Sequence, residues 1–115
     1  MLIYKILRTD EWDHLRNVGE TLGAPIDLSD GFIHFSTATQ VAQTAALHFA
    51  GAEGLFLAAV DTDDLGDALK WEKSRGGADF PHLFATLKLS DVKWCQPLPL
   101  VDGSHQFPAG FDDAD

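Results

Sequence analysis

The sequence has few of the residues that build disulfide, metal, membrane or nucleic-acid sites. It contains one cysteine, Cys95, which excludes an internal disulfide and a paired-cysteine metal site. Lysine and arginine number 8 against 18 aspartate and glutamate residues, and the formal net charge of -10 disfavours binding to nucleic acid or to anionic lipid. No stretch approaches the roughly 18 apolar residues of a membrane span. The GxSxG, GxGxxG, P-loop and HExxH motifs are absent, and we predict no metal site.

The length and composition are those of one globular domain. The chain has 115 residues, of which 45% are hydrophobic. We predict a single α+β domain over 1–100, followed by an acidic, irregular C-terminal tail over 101–115. The opening stretch has no long apolar run and carries early acids, which is not typical of a secretory signal peptide. We therefore expect a cytoplasmic, bacterial-type protein.

Hydrophobic patterning predicts two main helices and about six short strands. The first helix is expected to begin near Thr9, to place Val18 against the core and to end at Gly19. Thr37 and Gln40 have the spacing of a capping box for a second helix, which carries little charge and is expected to be largely buried to about residue 50. The expected fold is a small, mixed but largely antiparallel sheet with helices to one side. The strands are predicted at 2–7, 32–35, 55–60, 68–72, 83–89 and 92–98, with loops at 19–31 and 73–79.

Positive charge is concentrated in one short segment. Residues 17–69 hold eight acids and no lysine or arginine. In a protein of this net charge, a local group of cations next to glycines is a candidate anion site, because glycine lets main-chain N–H groups approach a phosphate or carboxylate. The alternative is that these cations pair with neighbouring acids on a solvated face. The group consists of Lys70, Lys73, Ser74, Arg75, Gly76 and Gly77.

Two histidines and a helix start supply the other candidate site residues. His34 alternates with apolar neighbours on a predicted strand, so it is expected to face away from the core and into a cleft. His82, which follows Phe80, could share that site, although a lone histidine is also typical of a hydrogen-bonded structural residue. At the helix start, free N–H groups and side chains bind anions, the alternative being that the side chains only cap the helix. These side chains are Ser36, Thr37 and Gln40.

Four motifs occur along the chain in a specific order: DGFIHFST at 30–37, KWE at 70–72, SRGG at 74–77 and FPHL at 80–83. In this order and at this separation they resemble the bacterial domain-of-unknown-function family 952. The resemblance covers residues 2–99. The family has no established activity, so membership by itself implies no function.

The fold of that family resembles the ADP-ribosyltransferase fold, including the RNA 2′-phosphotransferase branch that consumes NAD. In that branch a His-apolar-Ser strand end precedes an alanine-bearing helix, as His34 and Ser36 do here. The resemblance implies NAD as a cofactor, with His34 and Glu72 as catalytic residues and Glu72 stabilising positive charge that develops on the ribose. Lys5 stands on the first strand, where those enzymes place an arginine or a histidine.

Three functions remain open from the sequence. The first is a non-catalytic site for a small anionic ligand, either nucleotide-like or a carboxylate. The second is a transferase or hydrolase that uses NAD or ADP-ribose. The third is a protein-interaction domain in which Trp71, Phe80 and Phe84 form the contact surface. The first two require that the histidines and the basic segment converge on one cavity.

Overall fold

The structure, a computed structural model, describes residues 1–109 and 111, and for Arg75 the main chain alone. The fold is α+β, as expected, but its described strands form several small antiparallel sheets where the sequence predicted one mixed sheet of about six strands. The helices are α1 (Thr9–Val18), α2 (Pro25–Asp30) and α3 (Val41–His48). The strands are β1 (Leu2–Arg8), β2 (Glu20–Thr21), β3 (Ile33–His34), β4 (Leu55–Asp61), β5 (Leu69–Lys73), β6 (Asp79–Leu83), β7 (Leu87–Lys88), β8 (Val92–Leu98), β9 (Leu100–Val101) and β10 (Ser104–His105).

The first main sheet has the strand order β1-β4-β8 and is covered on both faces. Tyr4 is opposite Ala59 and Ile3 is opposite Val60, so alternation sends these two pairs to opposite sides. One side packs on α3 through Val41 in the first buried cluster, and the other packs on α1 and on β3 and β6 in the second. The uninterrupted apolar run of β4 follows from this double coverage.

The second main sheet has the order β3-β6-β5 and carries the candidate residues on its outer face. Ile33 is opposite Leu83 and both are buried, so that face belongs to the core. His34 is opposite His82, and Lys70 is opposite His82 on the other side, so these three side chains leave the opposite face. A main-chain bridge between Tyr4 and Ser36, with N–O distances of 2.8 and 2.9 Å, joins the two sheets.

Helix α2 lies inside the segment predicted as a loop, and that part of the prediction was wrong. Pro25 occupies the first helical turn, where its missing N–H costs nothing. The carboxylate of Asp27 accepts the main-chain N–H of Ala24 at 2.7 Å. Gly31 ends the helix in the left-handed conformation, with φ of 85°. The proline and glycines that indicated a loop are therefore the start and stop signals of a short helix.

The other helices depart from expectation in burial and in their first residues. Helix α3 begins at Val41 instead of Thr37, and of its residues only Val41 and Ala45 are buried. The prediction of a largely buried helix was wrong, because alanine can remain on a solvated face at little cost. Val18 is exposed at the end of α1. The hydroxyl of Thr9 donates to the carbonyl of Gly54 at 2.6 Å instead of capping α1.

Between residues 79 and 91 the strands differ from the predicted one, whereas β8 (Val92–Leu98) has the predicted bounds. A strand was predicted at 83–89, but β6 already begins at Asp79 and the later segment holds only the two-residue β7. Pro81 lies inside β6, although proline cannot donate a hydrogen bond to a neighbouring strand. The shift is important because it places His82 within a paired strand instead of before one.

The described part of the C-terminal segment packs against the domain. Strands β9 and β10 form a short hairpin, and Phe107 and Phe111 pack on the first buried cluster. The hydroxyl of Tyr4 donates to the carbonyl of Phe111 at 3.0 Å. Residues 110 and 112–115 of the predicted tail lie outside the described residues. Among the described helices the longest has 10 residues, and none has the length and apolar character needed to cross a membrane.

Candidate functional site

A cavity of about 470 Å³ lies where the two main sheets meet. Its walls combine apolar and aromatic side chains with histidines and hydroxyl groups. This size and mixture are typical of sites for small organic molecules. The lining residues are Tyr4, Ile6, Ile26, His34, Phe35, Ser36, Thr44, His48, Phe49, Ser74, Phe80 and His82.

His34 and His82 are side by side at this cavity because β3 and β6 pair in register. Their ring centroids are 5.3 Å apart. The ring of Phe32 packs against both, at 4.6 Å from His34 and 4.1 Å from His82. Phe32 therefore restricts the orientations that either imidazole can adopt.

Behind His34 lies Asp27, a carboxylate that is 1% exposed and that accepts four hydrogen bonds. Its Oδ1 accepts from Nδ1 of His34 at 2.6 Å and from the main-chain N–H of His34 at 3.0 Å. Its Oδ2 accepts from Nζ of Lys5 at 2.7 Å and from Ala24 N–H at 2.7 Å. Burial alone would raise the pKa of Asp27, but the hydrogen bonds of His34 and the charge of Lys5 outweigh it and lower the pKa to about 2.

Lys5 completes this buried group. It is 7% exposed, and its Nζ donates to the carbonyl oxygen of His34 at 3.0 Å as well as to Asp27. Because an ionised carboxylate only accepts hydrogen bonds, Nδ1 of His34 must carry a hydrogen. Lys5 and Asp27 thus fix both the main chain and the ring of His34.

Each histidine also contacts a carboxylate that is more exposed than Asp27. Nδ1 of His82 lies 2.8 Å from Oε1 of Glu72, whose side chain is 45% exposed. Nε2 of His34 lies 3.0 Å from Oδ2 of Asp30, whose side chain is 41% exposed. His82 itself is buried. Carboxylates thus back both imidazoles, while neither Glu72 nor Asp30 lines the cavity.

The hydroxyl side of the cavity is formed by Ser36 and Thr44. Oγ of Ser36 lies 2.9 Å from Oγ1 of Thr44, which also donates to the carbonyl oxygen of Gln40 at 3.2 Å. With the hydrogen of Thr44 directed to Gln40, Ser36 donates to Thr44 and its lone pairs remain for a donor in the cavity. Ser36 and His34 lie two residues apart, which puts them on the same side of the extended segment.

The structure brings five of the predicted site residues to this one cavity. The predicted convergence of two distant segments is therefore present for the histidines and the serines. For Arg75 the side chain lies outside the described residues, so its predicted role stays a prediction. The five residues that line the cavity are His34, Ser36, Ser74, Phe80 and His82.

Thr37 and Gln40 do not line the cavity, and they form hydrogen bonds with each other and with β6. The main-chain N–H of Thr37 donates to Oε1 of Gln40 at 3.0 Å. Nε2 of Gln40 donates to the carbonyl of Asp79 at 2.8 Å, which ties this turn to β6. These contacts organise the segment before α3, and Gln40, at the capping position of that helix, makes no side-chain capping hydrogen bond.

The cations of the basic segment are not gathered at the cavity. Lys70 is exposed and shares the outer face of the sheet with His82, but it does not line the cavity. Lys73 lies three positions later on β5, on the opposite face, and its Nζ is 3.6 Å from a carboxylate oxygen of Asp79. For Lys73 the alternative of a solvated ion pair describes the contact better than an anion site does.

The three aromatic residues proposed as a contact surface do not share one face. Trp71 is opposite Pro81 in the ladder, whereas Phe80 is opposite Glu72, so Trp71 and Phe80 leave opposite faces of the sheet. Phe80 lines the cavity, and Phe84 stacks on Phe32 with ring centroids 5.1 Å apart.

Sequence reasoning missed the residues that hold His34 and several that form the walls. Asp27 and Asp30 lay in the predicted loop, although the Pro25 signal together with Gly31 could have indicated the short helix that carries them. Lys5 could have been identified from a charged residue in the middle of an apolar strand. The missed wall residues are Tyr4, Ile6, Ile26, Phe35, Thr44, His48 and Phe49.

No group of three or more histidine, cysteine, aspartate or glutamate side chains is placed to hold a metal ion within the residues that the structure describes. Cys95 is separate from the cavity, and burial raises the pKa of its thiol to about 11, slightly opposed by the charge of Arg16. The groups available for chemistry at the cavity are therefore imidazoles and hydroxyls, with carboxylates behind them.

Comparisons with known proteins give one family and one structural relative. The family model described as "Protein of unknown function (DUF952)" matches residues 6–95. The crystal structure of protein CC0527 from Caulobacter crescentus has 48% sequence identity and a TM-score of 0.88, covering 92% of this chain and 94% of that one. The solution structure of CC0527 has 46% identity and a TM-score of 0.82, covering 97% and 95%. No curated protein matches the chain.

Proposed function

This chain belongs to the DUF952 family, and we propose that it binds a small organic anion with an apolar body in the cavity between its two main sheets. The observation that carries the proposal is the pairing of His34 with His82, which brings two carboxylate-backed imidazoles to one cavity of about 470 Å³. A carboxylate that contacts one ring nitrogen fixes the orientation of the imidazole, so that the ring is held in place for a ligand in the cavity.

The walls indicate the rest of the ligand. Phe35, Phe49 and Phe80 border the cavity, so a ligand that fills it buries apolar or aromatic surface. Ser36 and the histidines supply the few polar contacts that orient such a ligand. A free inorganic ion would not bury the apolar surface of these walls.

Affinity for an anion has to come from close contacts in this protein. The net charge of -10 repels anions at long range. Hydrogen bonds from imidazole and hydroxyl groups to an anion act over a few ångströms, and salt screens them little when they are partly buried. The net charge therefore selects ligands that fit the cavity over anions in general.

The proposal is tested by titrating the protein with phenylacetate and, separately, with adenosine monophosphate, followed by nuclear magnetic resonance of the amide groups. The expected result is saturable shifts at residues around the cavity for at least one probe. His34→Gln and His82→Gln should each weaken binding about tenfold to a hundredfold, because each removes a charge-assisted hydrogen bond.

The matched control is His14→Gln, which replaces an exposed histidine of α1 outside this cavity and should leave affinity unchanged. Circular dichroism and urea unfolding confirm that each variant is folded before its affinity is compared. Binding that is equally strong in all three variants would contradict the proposal. It would also be contradicted if neither probe caused shifts at millimolar concentration.

A second candidate is a transferase or hydrolase that uses NAD or ADP-ribose, on a fold resembling that of ADP-ribosyltransferases. The observation that favours it is the contact between Glu72 and His82, adjacent to His34 and Ser36. Aromatic faces on the cavity wall also suit the cationic nicotinamide ring of NAD. NAD supplies an activated ribosyl carbon; the chain would supply His34 and Ser36 to orient the ribose and Glu72 to stabilise its positive charge.

The two candidates differ in what happens to NAD. An enzyme releases nicotinamide, which chromatography detects, whereas a binding module leaves NAD intact. If calorimetry gives no heat with NAD or ADP-ribose at millimolar concentration, and no nicotinamide is released, the second candidate is excluded and the first still stands on its own probes.

A further inference from the structure

The carboxylate of Asp30 lies at hydrogen-bond distance from Nε2 of His34, the ring nitrogen that does not contact Asp27. Asp30 is the last residue of α2, and its Oδ2 lies 3.0 Å from Nε2 of His34. Ile26, one helical turn earlier on the same face of α2, lines the cavity, and so does His34, which Asp30 contacts. Asp27 holds the other ring nitrogen from inside the protein.

The two carboxylates around His34 differ in how firmly they are held. Asp27 is buried and accepts hydrogen bonds from four donors on three residues. Moving its carboxylate would leave the buried charge of Lys5 without its ion-pair partner. Asp30 is 41% exposed, and an exposed ion pair of this kind contributes little to stability. Asp30 can therefore turn to solvent while Asp27 stays in place.

The contact with Asp30 also shows which chemical group can bind at Nε2 of His34. An oxygen of a carboxylate lies at hydrogen-bond distance from Nε2, and Nε2–H donates to it when the ring is doubly protonated. His34 itself lines the cavity. A carboxylate from a ligand would meet the same donor at the same place.

We propose that Asp30 is an internal occupant of the anion position, and that the ligand is a carboxylate that displaces Asp30 from Nε2 of His34. This inference rests on the proposed function and narrows its ligand class. It predicts that the carboxylate of the ligand binds at His34 while its apolar body enters the aromatic part of the cavity. Asp30 then lowers the affinity of the site and favours ligands that also fill the cavity.

Removing Asp30 should strengthen binding. An internal competitor that occupies the site with an equilibrium constant K lowers affinity by a factor of 1 + K. Exposed ion pairs correspond to K of roughly one to five, so Asp30→Ala should raise the affinity for phenylacetate about twofold to sixfold. On saturation of the unaltered protein, the carboxyl ¹³C resonance of Asp30 should shift towards that of an exposed aspartate.

The control is Asp79→Asn, which removes one negative charge next to Phe80 at the cavity but no contact with His34. It should change affinity by less than about 1.5-fold, since an exposed charge is largely screened. A gain confined to Asp30→Ala, with the shift of the Asp30 resonance, supports the inference. Equal gains in both variants, or no gain in Asp30→Ala, overturn it and leave the proposed function standing. Absence of phenylacetate binding in all three proteins also overturns the inference, and it overturns the proposed function as well only if adenosine monophosphate fails to bind too.

Discussion

Replacing Asp27 by asparagine tests the buried group that holds His34. The substitution keeps the shape of the side chain but removes its charge, so Lys5 is left buried against a neutral amide. Removing one partner of a buried ion pair costs about 3–5 kcal/mol, because the remaining charge has lost its compensation. We expect Asp27→Asn to lower the free energy of unfolding at pH 7 by about that amount.

The pH dependence gives a second and independent magnitude. The pKa of Asp27 falls from 3.8 to about 2 on folding. Because its side chain is fully buried, solvent does not screen its interactions with Lys5 and His34. At about 1.4 kcal/mol per pKa unit, the difference corresponds to roughly 2–3 kcal/mol of stability. Because the folded-state pKa is the lower one, this stability is present above pH 3.8 and is lost as the pH falls towards 2.

The assay is urea unfolding of the unaltered protein and of Asp27→Asn at intervals from pH 7 to pH 2. The difference between the two proteins should shrink by about 2 kcal/mol between pH 5 and pH 2, since asparagine does not titrate. Asp67→Asn, at an exposed position, serves as the control and should shift stability by no more than about 0.5 kcal/mol at any pH.

Two results would refute this reasoning. A difference between the unaltered protein and Asp27→Asn that stays constant from pH 5 to pH 2 would mean that the pKa of Asp27 is not lowered by folding. Equal stability at pH 7 would mean that Lys5 does not depend on Asp27. Either result would remove the physical basis for treating His34 as a ring held in one orientation.

Two further predictions concern Gly23 and Cys95. Gly23→Ala should lower the free energy of unfolding by about 2 kcal/mol or more, because Gly23 has φ of +105° and an added Cβ would lie 2.2 Å from Oδ2 of Asp27. Gly19→Ala, at φ of +92° with open space around it, should cost less, and equal losses would contradict the clash. Burial raises the pKa of Cys95 from 9.0 to about 11. Iodoacetamide should therefore alkylate it at pH 8 roughly a hundredfold more slowly than a free cysteine. An alkylation rate like that of a model peptide would contradict its burial.

The sequence identifies the histidines more readily than the way they are held. His34 alternates with buried apolar neighbours, and Ser36 follows at the same parity, so local periodicity suffices to place both on one side of the chain. Their meeting with His82 depends on the register between β3 and β6, which lie far apart in sequence. Local patterns carry no information on such long-range register beyond the requirement that one face be buried.

The basic segment shows why proximity in sequence is a poor guide to a site. Lys70 and Lys73 are close along the chain, but a spacing of three on a strand sends them to opposite faces. Ser74 follows immediately and does reach the cavity. A loop was expected at 73–79, and in a loop the three side chains could have converged. The extension of β5 to Lys73 removes that freedom.

The contacts of the buried ion pair indicate why it is present at all. A buried salt bridge is weak evidence for stability, because well-packed apolar residues of similar volume often do as well or better. The side chains of Lys5 and Asp27 contact each other and the N–H of Ala24, and their other hydrogen bonds among the described residues are to His34: to its carbonyl oxygen, its main-chain N–H and its Nδ1. An apolar pair would fill the space but would leave the imidazole free to turn about its side-chain torsions. The pair is therefore explained by the orientation and hydrogen-bonding state of one side chain, which is the requirement of a site at His34 and not of the fold around it.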